Sequence, residues 1–102
     1  MLQLRPNCEH CNTDLPPNNP KAMICSFECT FCESCVMNIL KNVCPNCGGG
    51  FCYRPVRPRQ NLRNDNYLGK YPATSTPTLK PVDVDEHAVF ATEIRKTKPE
   101  NR

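Results

Sequence analysis

Ile24-Cys25-Ser26-Phe27-Glu28-Cys29-Thr30-Phe31-Cys32-Glu33-Ser34-Cys35 packs four sulfurs into one short run, and its reading decides the fold. Upstream stands Cys8-x2-Cys11 and downstream Cys44-x2-Cys47, so eight of the nine cysteines form four spaced pairs. A pair two or three residues apart sits on a turn that aims both sulfurs at one point, and two such turns complete a tetrahedron. Zinc takes four soft N or S ligands in that geometry, so eight thiolates imply two closed, all-cysteine sites and two zinc ions per chain. A closed site leaves no position for water or substrate, so the metal is expected to build structure and no enzymatic activity is expected.

Every cysteine lies before residue 53 of the 102. A domain of about fifty residues buries about 60% of its unfolded surface, and its stability balance sits near zero without staples. A structural zinc supplies ~10–16 kcal/mol of apparent binding energy, so metal should decide whether residues 1–57 fold. The rival staple is a disulfide framework. Met1-Leu2-Gln3-Leu4-Arg5-Pro6 has no apolar run of a secretory leader, and an odd cysteine count in C-x2-C spacing suits metal in a reducing compartment. A cytoplasmic location is the expectation. No stretch approaches the roughly 20 apolar residues of a membrane span.

The formal charge of +3 conceals a division. Residues 1–57 carry five Lys/Arg and four Asp/Glu, whereas residues 58–102 carry eight and six. Ligating thiols are deprotonated, so two Zn(II) on eight thiolates take the first part to about −3.

Along the chain, Pro16, Pro17 and Pro20 forbid helix in the loop after the first pair. Ala22-Met23-Ile24 and Phe27 predict a hairpin around the second pair. Val36, Ile39 and Leu40 recur at helical spacing, which predicts one short helix over 33–40. Gly48-Gly49-Gly50 then releases a brief strand over 51–54, and Gly48 is expected to turn N–H groups toward the Cys44 or Cys47 sulfur. The expected core is Leu15, Ile24, Phe27, Phe31, Ile39, Leu40 and Phe51. Residues 58–82 form a Pro-, Arg- and Asn-rich extended linker. A short helix is expected over 83–97, capped by Asp83 or Asp85, with Val84, Ala88, Ala91 and Ile94 as its apolar stripe, and a disordered end over 98–102.

Three wirings of the pairs compete. A cross-brace assigns Cys8, Cys11, Cys32 and Cys35 to one zinc and Cys25, Cys29, Cys44 and Cys47 to the other. The second and third pairs are only two residues apart, and sending them to opposite metals avoids crowding both at one. A zinc ribbon would join the first and last pairs instead. An iron–sulfur cluster on Cys25, Cys29, Cys32 and Cys35 is the third, since that spacing is similar to the ferredoxin run reversed.

The whole run, with Phe31-Cys32 and Cys44-Pro45, resembles a RING finger in which Cys29 stands where most have histidine. Met1 to Cys8 and Ile24 to Cys32 more specifically resemble a small bacterial family regarded as RING-like, domain of unknown function 1272. The resemblance covers residues 1–57 and implies a small metal-stabilised α+β fold, a RING-like cross-brace or treble-clef zinc module, with a largely irregular C-terminal tail in a bacterial cytosol. It supplies no activity. RING-type ubiquitin ligases contact conjugating enzymes through an apolar residue before the second ligand and often an arginine after the last; here those places hold His10 and Gly48.

A zinc-folded module without a nucleophile–base pair points to binding, foremost of another protein. The surface expected to dock it is a groove lined by His10, Leu15, Val36, Met37 and Pro45. The second class is nucleic-acid binding through Arg54, Arg57, Arg59 and Arg63, though four arginines without interleaved aromatics read first as a solvated linker. Redox chemistry at a C-x2-C pair is a third reading, and neither a small-molecule substrate nor a membrane partner is indicated. Cys52 is expected to be a spare strand residue, His10 to face solvent or a thiolate, and His87 has no assigned role.

Overall fold

A computed structural model describes all of residues 1–102. Three short antiparallel strands, β1 (Ala22–Ile24), β2 (Thr30–Cys32) and β3 (Cys52–Tyr53), form a sheet in the order β2-β1-β3. In the β1–β2 hairpin Ala22 faces Cys32 and Ile24 faces Thr30, and β3 sets Cys52 against Ile24. Glu28 turns the hairpin at a φ of 68°, a left-handed conformation that carries Cys29 back toward Cys25. The amide of Cys25 donates to the Cys29 carbonyl at 3.2 Å, closing that turn.

The segment after Cys32 begins as α1 (Glu33–Cys35) and widens into a π-helical turn over Val36–Leu40. The wider turn ends abruptly where Lys41 and Asn42 both adopt positive φ, 54° and 59°. Asn42 tolerates that region and its side-chain oxygen accepts from the Phe51 amide at 2.9 Å, so it ties the helix end to the entry of β3.

Leu15, Met23, Phe31, Val36 and Leu40 form the core together with Cys8, Cys25, Cys29, Cys35 and Cys44, so sulfur makes up much of the interior. Phe51 packs its ring edge-on against Phe31 at 5.5 Å, a contact worth about 0.5–1.5 kcal/mol beyond area burial. Phe27 corrects the expected core: it is 71% exposed, because the hairpin turn carries it outward. Leu4 and Val43 are buried in its stead.

Arg54 and Arg57 do not behave as a solvated linker. Arg54 is buried, and its guanidinium donates to the carbonyls of Arg5, Leu15 and Pro16 at 2.8, 3.1 and 3.1 Å. Arg57 clamps the carbonyls of Leu2 and Tyr71 at 2.7 and 2.6 Å. From there the chain runs alongside residues 2–10 in the same direction. Thr74 donates to the Leu4 carbonyl, Thr78 exchanges two hydrogen bonds with the Asn7 side chain, and Lys80 donates to the Glu9 carbonyl.

The tail helix α2 (Val84–Ile94) is capped by Asp83, whose carboxylate accepts from the amides of Asp85 and Glu86 at 3.1 Å each. It ends at Ile94, earlier than expected, and its buried stripe is His87 and Ala91, while Val84 and Ala88 are exposed. Pro99–Asn101 makes a 3-10 turn, and Arg102 donates to the carbonyls of Asn42 and Gly48 at 2.9 and 3.2 Å.

Candidate metal centre

The hairpin is what divides the sulfurs. The Sγ atoms of Cys8, Cys11, Cys32 and Cys35 lie within 4.8 Å of one another, joining the first and third pairs. Cys25, Cys44 and Cys47 converge within the same limit on the other side, joining one cysteine of the second pair to the fourth. Cys29 stands outside that tighter set. Its sulfur accepts from the Asn46 side-chain amide at 3.4 Å, and its charge acts on the thiols of Cys25 and Cys44.

The surroundings of these sulfurs fit metal-bound thiolates. Main-chain N–H groups two residues on point back at sulfur: Phe27 to Cys25 at 3.3 Å, Asn46 to Cys44 at 3.5 Å, and Gly49 to Cys47 at 3.4 Å. An N–H donor favours the ionised sulfur and fixes the direction of its lone pairs. Gly48 serves this as expected. Its own N–H donates to the Cys44 carbonyl at 2.8 Å, and its φ of 78° lets the next amide, that of Gly49, reach Cys47.

Without a cation the sulfurs oppose one another. Burial raises the thiols of Cys25, Cys32, Cys35 and Cys44 above their ordinary range, and neighbouring sulfurs add to the rise. Cys11 is the exception. Burial works to raise it too, but the Thr13 hydroxyl and amide and the sulfurs of Cys8 and Cys35 bring it down to about 6. A divalent ion at each cluster would remove the repulsion, which is the electrostatic case for metal in these positions.

The ninth cysteine, Cys52, is exposed on β3 and belongs to neither cluster. His10 is not a thiolate donor: it is half-buried, and its Nδ1 accepts from the Val82 amide at 2.9 Å. His87, expected to have no role, is buried and its Nε2–H donates to the Leu40 carbonyl at 2.9 Å. Of the expected docking surface, Leu15 and Val36 are fully buried, Met37 remains exposed, and Pro45 lines an open cavity shared with the tail. Sequence reasoning missed Arg54 and Asn46. Asn46 lies inside a knuckle, where a carboxamide has sulfur as its nearest acceptor; Arg54 left no local signal, because its carbonyl partners lie 38 to 49 residues away.

Two sulfur clusters on a small α+β frame define a cysteine-rich module able to hold metal ions. The chain belongs to the family described as Protein of unknown function (DUF1272), whose model matches residues 1–57. It is also 54% identical to Uncharacterized protein R02474 of Rhizobium meliloti (strain 1021) over 81 residues, 79% of this chain and 89% of that protein. Since the family model ends at residue 57, at least 24 of those 81 aligned residues belong to the tail. No solved structure matches.

Proposed function

We propose that the chain is a RING-like, cross-braced module with two structural zinc ions, working in the cytoplasm as a protein-interaction unit and not as an enzyme. The interleaving of the clusters carries the reading: the first pair meets the third, and Cys25 of the second pair meets the fourth. Cys8, Cys11, Cys32 and Cys35 hold the first zinc; Cys25, Cys44 and Cys47 hold the second, with Cys29 as its fourth ligand. The all-sulfur donor set favours zinc over harder cations. Zinc supplies charge neutralisation and cross-linking, which a core this small needs. Ligase-like activity is not part of the proposal, because His10 and Gly48 stand where the usual conjugating-enzyme contacts would be and His10 is engaged by the tail.

Elemental analysis of the purified chain tests it. Two zinc per chain is the expected result, and one metal per chain, or iron with visible sulfur-to-iron absorption, overturns it. A purified ubiquitin-discharge assay should show no stimulation of any standard conjugating enzyme. A cross-linked pull-down from native cytosol that recovers no specific protein would remove the interaction role.

A further inference from the structure

The groove between the first and last knuckles is occupied by the chain's own tail. Residues 78, 80 and 82 turn alternate N–H groups onto one wall: Thr78 onto the Asn7 side chain, Lys80 onto the Glu9 carbonyl, Val82 onto His10 Nδ1. Such alternation is how an extended peptide is recognised by a strand edge. Beyond the Asp83 cap, α2 crosses to the other wall, where His87 donates to the Leu40 carbonyl. Phe90 stacks edge-on with His87 and lies against Gly48, where an added Cβ would meet its ring at 3.4 Å.

This occupant is held by polar contacts and modest burial, with Val82 packed half-buried against the core. Among residues 58–102 only His87 and Ala91 are buried, and Leu79, Val84, Val89 and Phe90 are 52%, 48%, 73% and 42% exposed. A cavity of about 300 Å³ remains between tail and knuckles, lined by Glu9, Phe31, Pro45, Val82, His87 and Phe90. Each hydrogen bond contributes only about 0.5–1.5 kcal/mol net, while ordering each residue costs about 1–2 kcal/mol. A segment bound this way sits near balance, unlike a module closed by metal.

We propose that this groove is a peptide-recognition surface and that residues 78–90 fill it in cis as a displaceable latch. The partner segment it fits has the tail's chemistry. It is extended, with alternate free N–H groups, and leads into a helix capped by an acidic residue, with an imidazole and an aromatic ring four and seven positions after the cap, as Asp83, His87 and Phe90 stand here. The inference rests on the zinc-module reading, and metal content separates the two.

The test uses the full zinc-loaded chain and a triple tail variant, Lys80→Pro, Val82→Pro and His87→Ala. The variant removes two N–H donors and the imidazole and leaves the module's own contacts, Asn7, Glu9, His10 and Leu40, in place. The probe is a fluorescent peptide of residues 76–93 with the natural sequence. The groove is free only for the fraction of time the latch is open; a latch closed about nine-tenths of the time makes the peptide bind the variant about tenfold more tightly than the natural chain. NMR chemical shifts of Asn7, Glu9 and His10 should move in the variant and return toward the natural positions with peptide. Equal peptide affinity for both chains, or none for either, overturns the latch. Loss of zinc from the variant alone also overturns it, since the tail would then be part of the metal fold. A natural chain that is a tail-exchanged dimer in solution overturns the cis assignment. Absence of two zinc ions from the natural chain instead defeats the module reading beneath it.

Discussion

Arg54 holds three main-chain carbonyls from two separate segments, and no carboxylate faces it. Its Nε is the one buried side-chain nitrogen without a partner, and burial lowers its pKa from the ordinary arginine value. Arg54→Met should cost about 3 kcal/mol in the zinc-loaded chain, because three carbonyls lose charged donors and remain buried. Denaturant midpoints of variant and natural chain measure this. Cys29 is the other residue on which much depends. With Co(II) in place of zinc, two all-sulfur sites should give intense tetrahedral absorption, and Cys29→Ser should weaken the charge-transfer bands of one site only. An unchanged spectrum would show that the sulfur held by Asn46 is not a ligand.

At the scale of elements, the knuckles and hairpin govern proton chemistry. Cys32 and Cys35 in one cluster, and Cys25 and Cys44 in the other, have thiols that burial and neighbouring sulfurs raise above their ordinary range, which favours the protonated form at pH 7 in the metal-free chain. Ligation requires the thiolate, so each zinc should release at least about two protons at pH 7. The sign follows: metal affinity falls as pH falls, since protons compete for the same sulfurs. Calorimetric titrations in buffers of different ionisation enthalpy count these protons. The tail helix should respond to a different change. Asp83→Ala should lower its stability by about 1 kcal/mol, because two N–H groups lose their acceptor. Amide exchange should show that loss confined to Val84–Ile94, with zinc content unchanged.

For the whole molecule, chelation should unfold residues 1–57 in one step. The two clusters share the hairpin, and sulfur makes up much of the core. The full chain under chelator should lose amide dispersion in NMR spectra across the module, and a native-like spectrum would mean that apolar packing suffices. Any nucleic-acid affinity should be weak and salt-sensitive. Arg54 and Arg57 are committed to carbonyls and only Arg59 and Arg63 of the linker arginines are exposed, so the log–log salt slope should be about −2 instead of the −3 to −4 of four contacts.

The sequence by itself determined the knuckles, the hairpin between them and the gathering of their sulfurs into two clusters. Cysteine spacing is a local property, and two to three residues between sulfurs leave few backbone conformations. The short helix after Cys35 was legible for the same reason, since Val36, Ile39 and Leu40 mark one face, although its π-helical form was not. Tertiary structure alone decided the fate of the tail. Arg54, Arg57, His10 and His87 look like solvated or idle residues in sequence, because each is satisfied by a main-chain group 14 to 72 positions away. Main-chain carbonyls and amides are present at every residue and so leave no trace in composition or pattern. Which of them stays unpaired, and so can receive a distant side chain, is settled only when the cysteine knuckles have placed the chain in space.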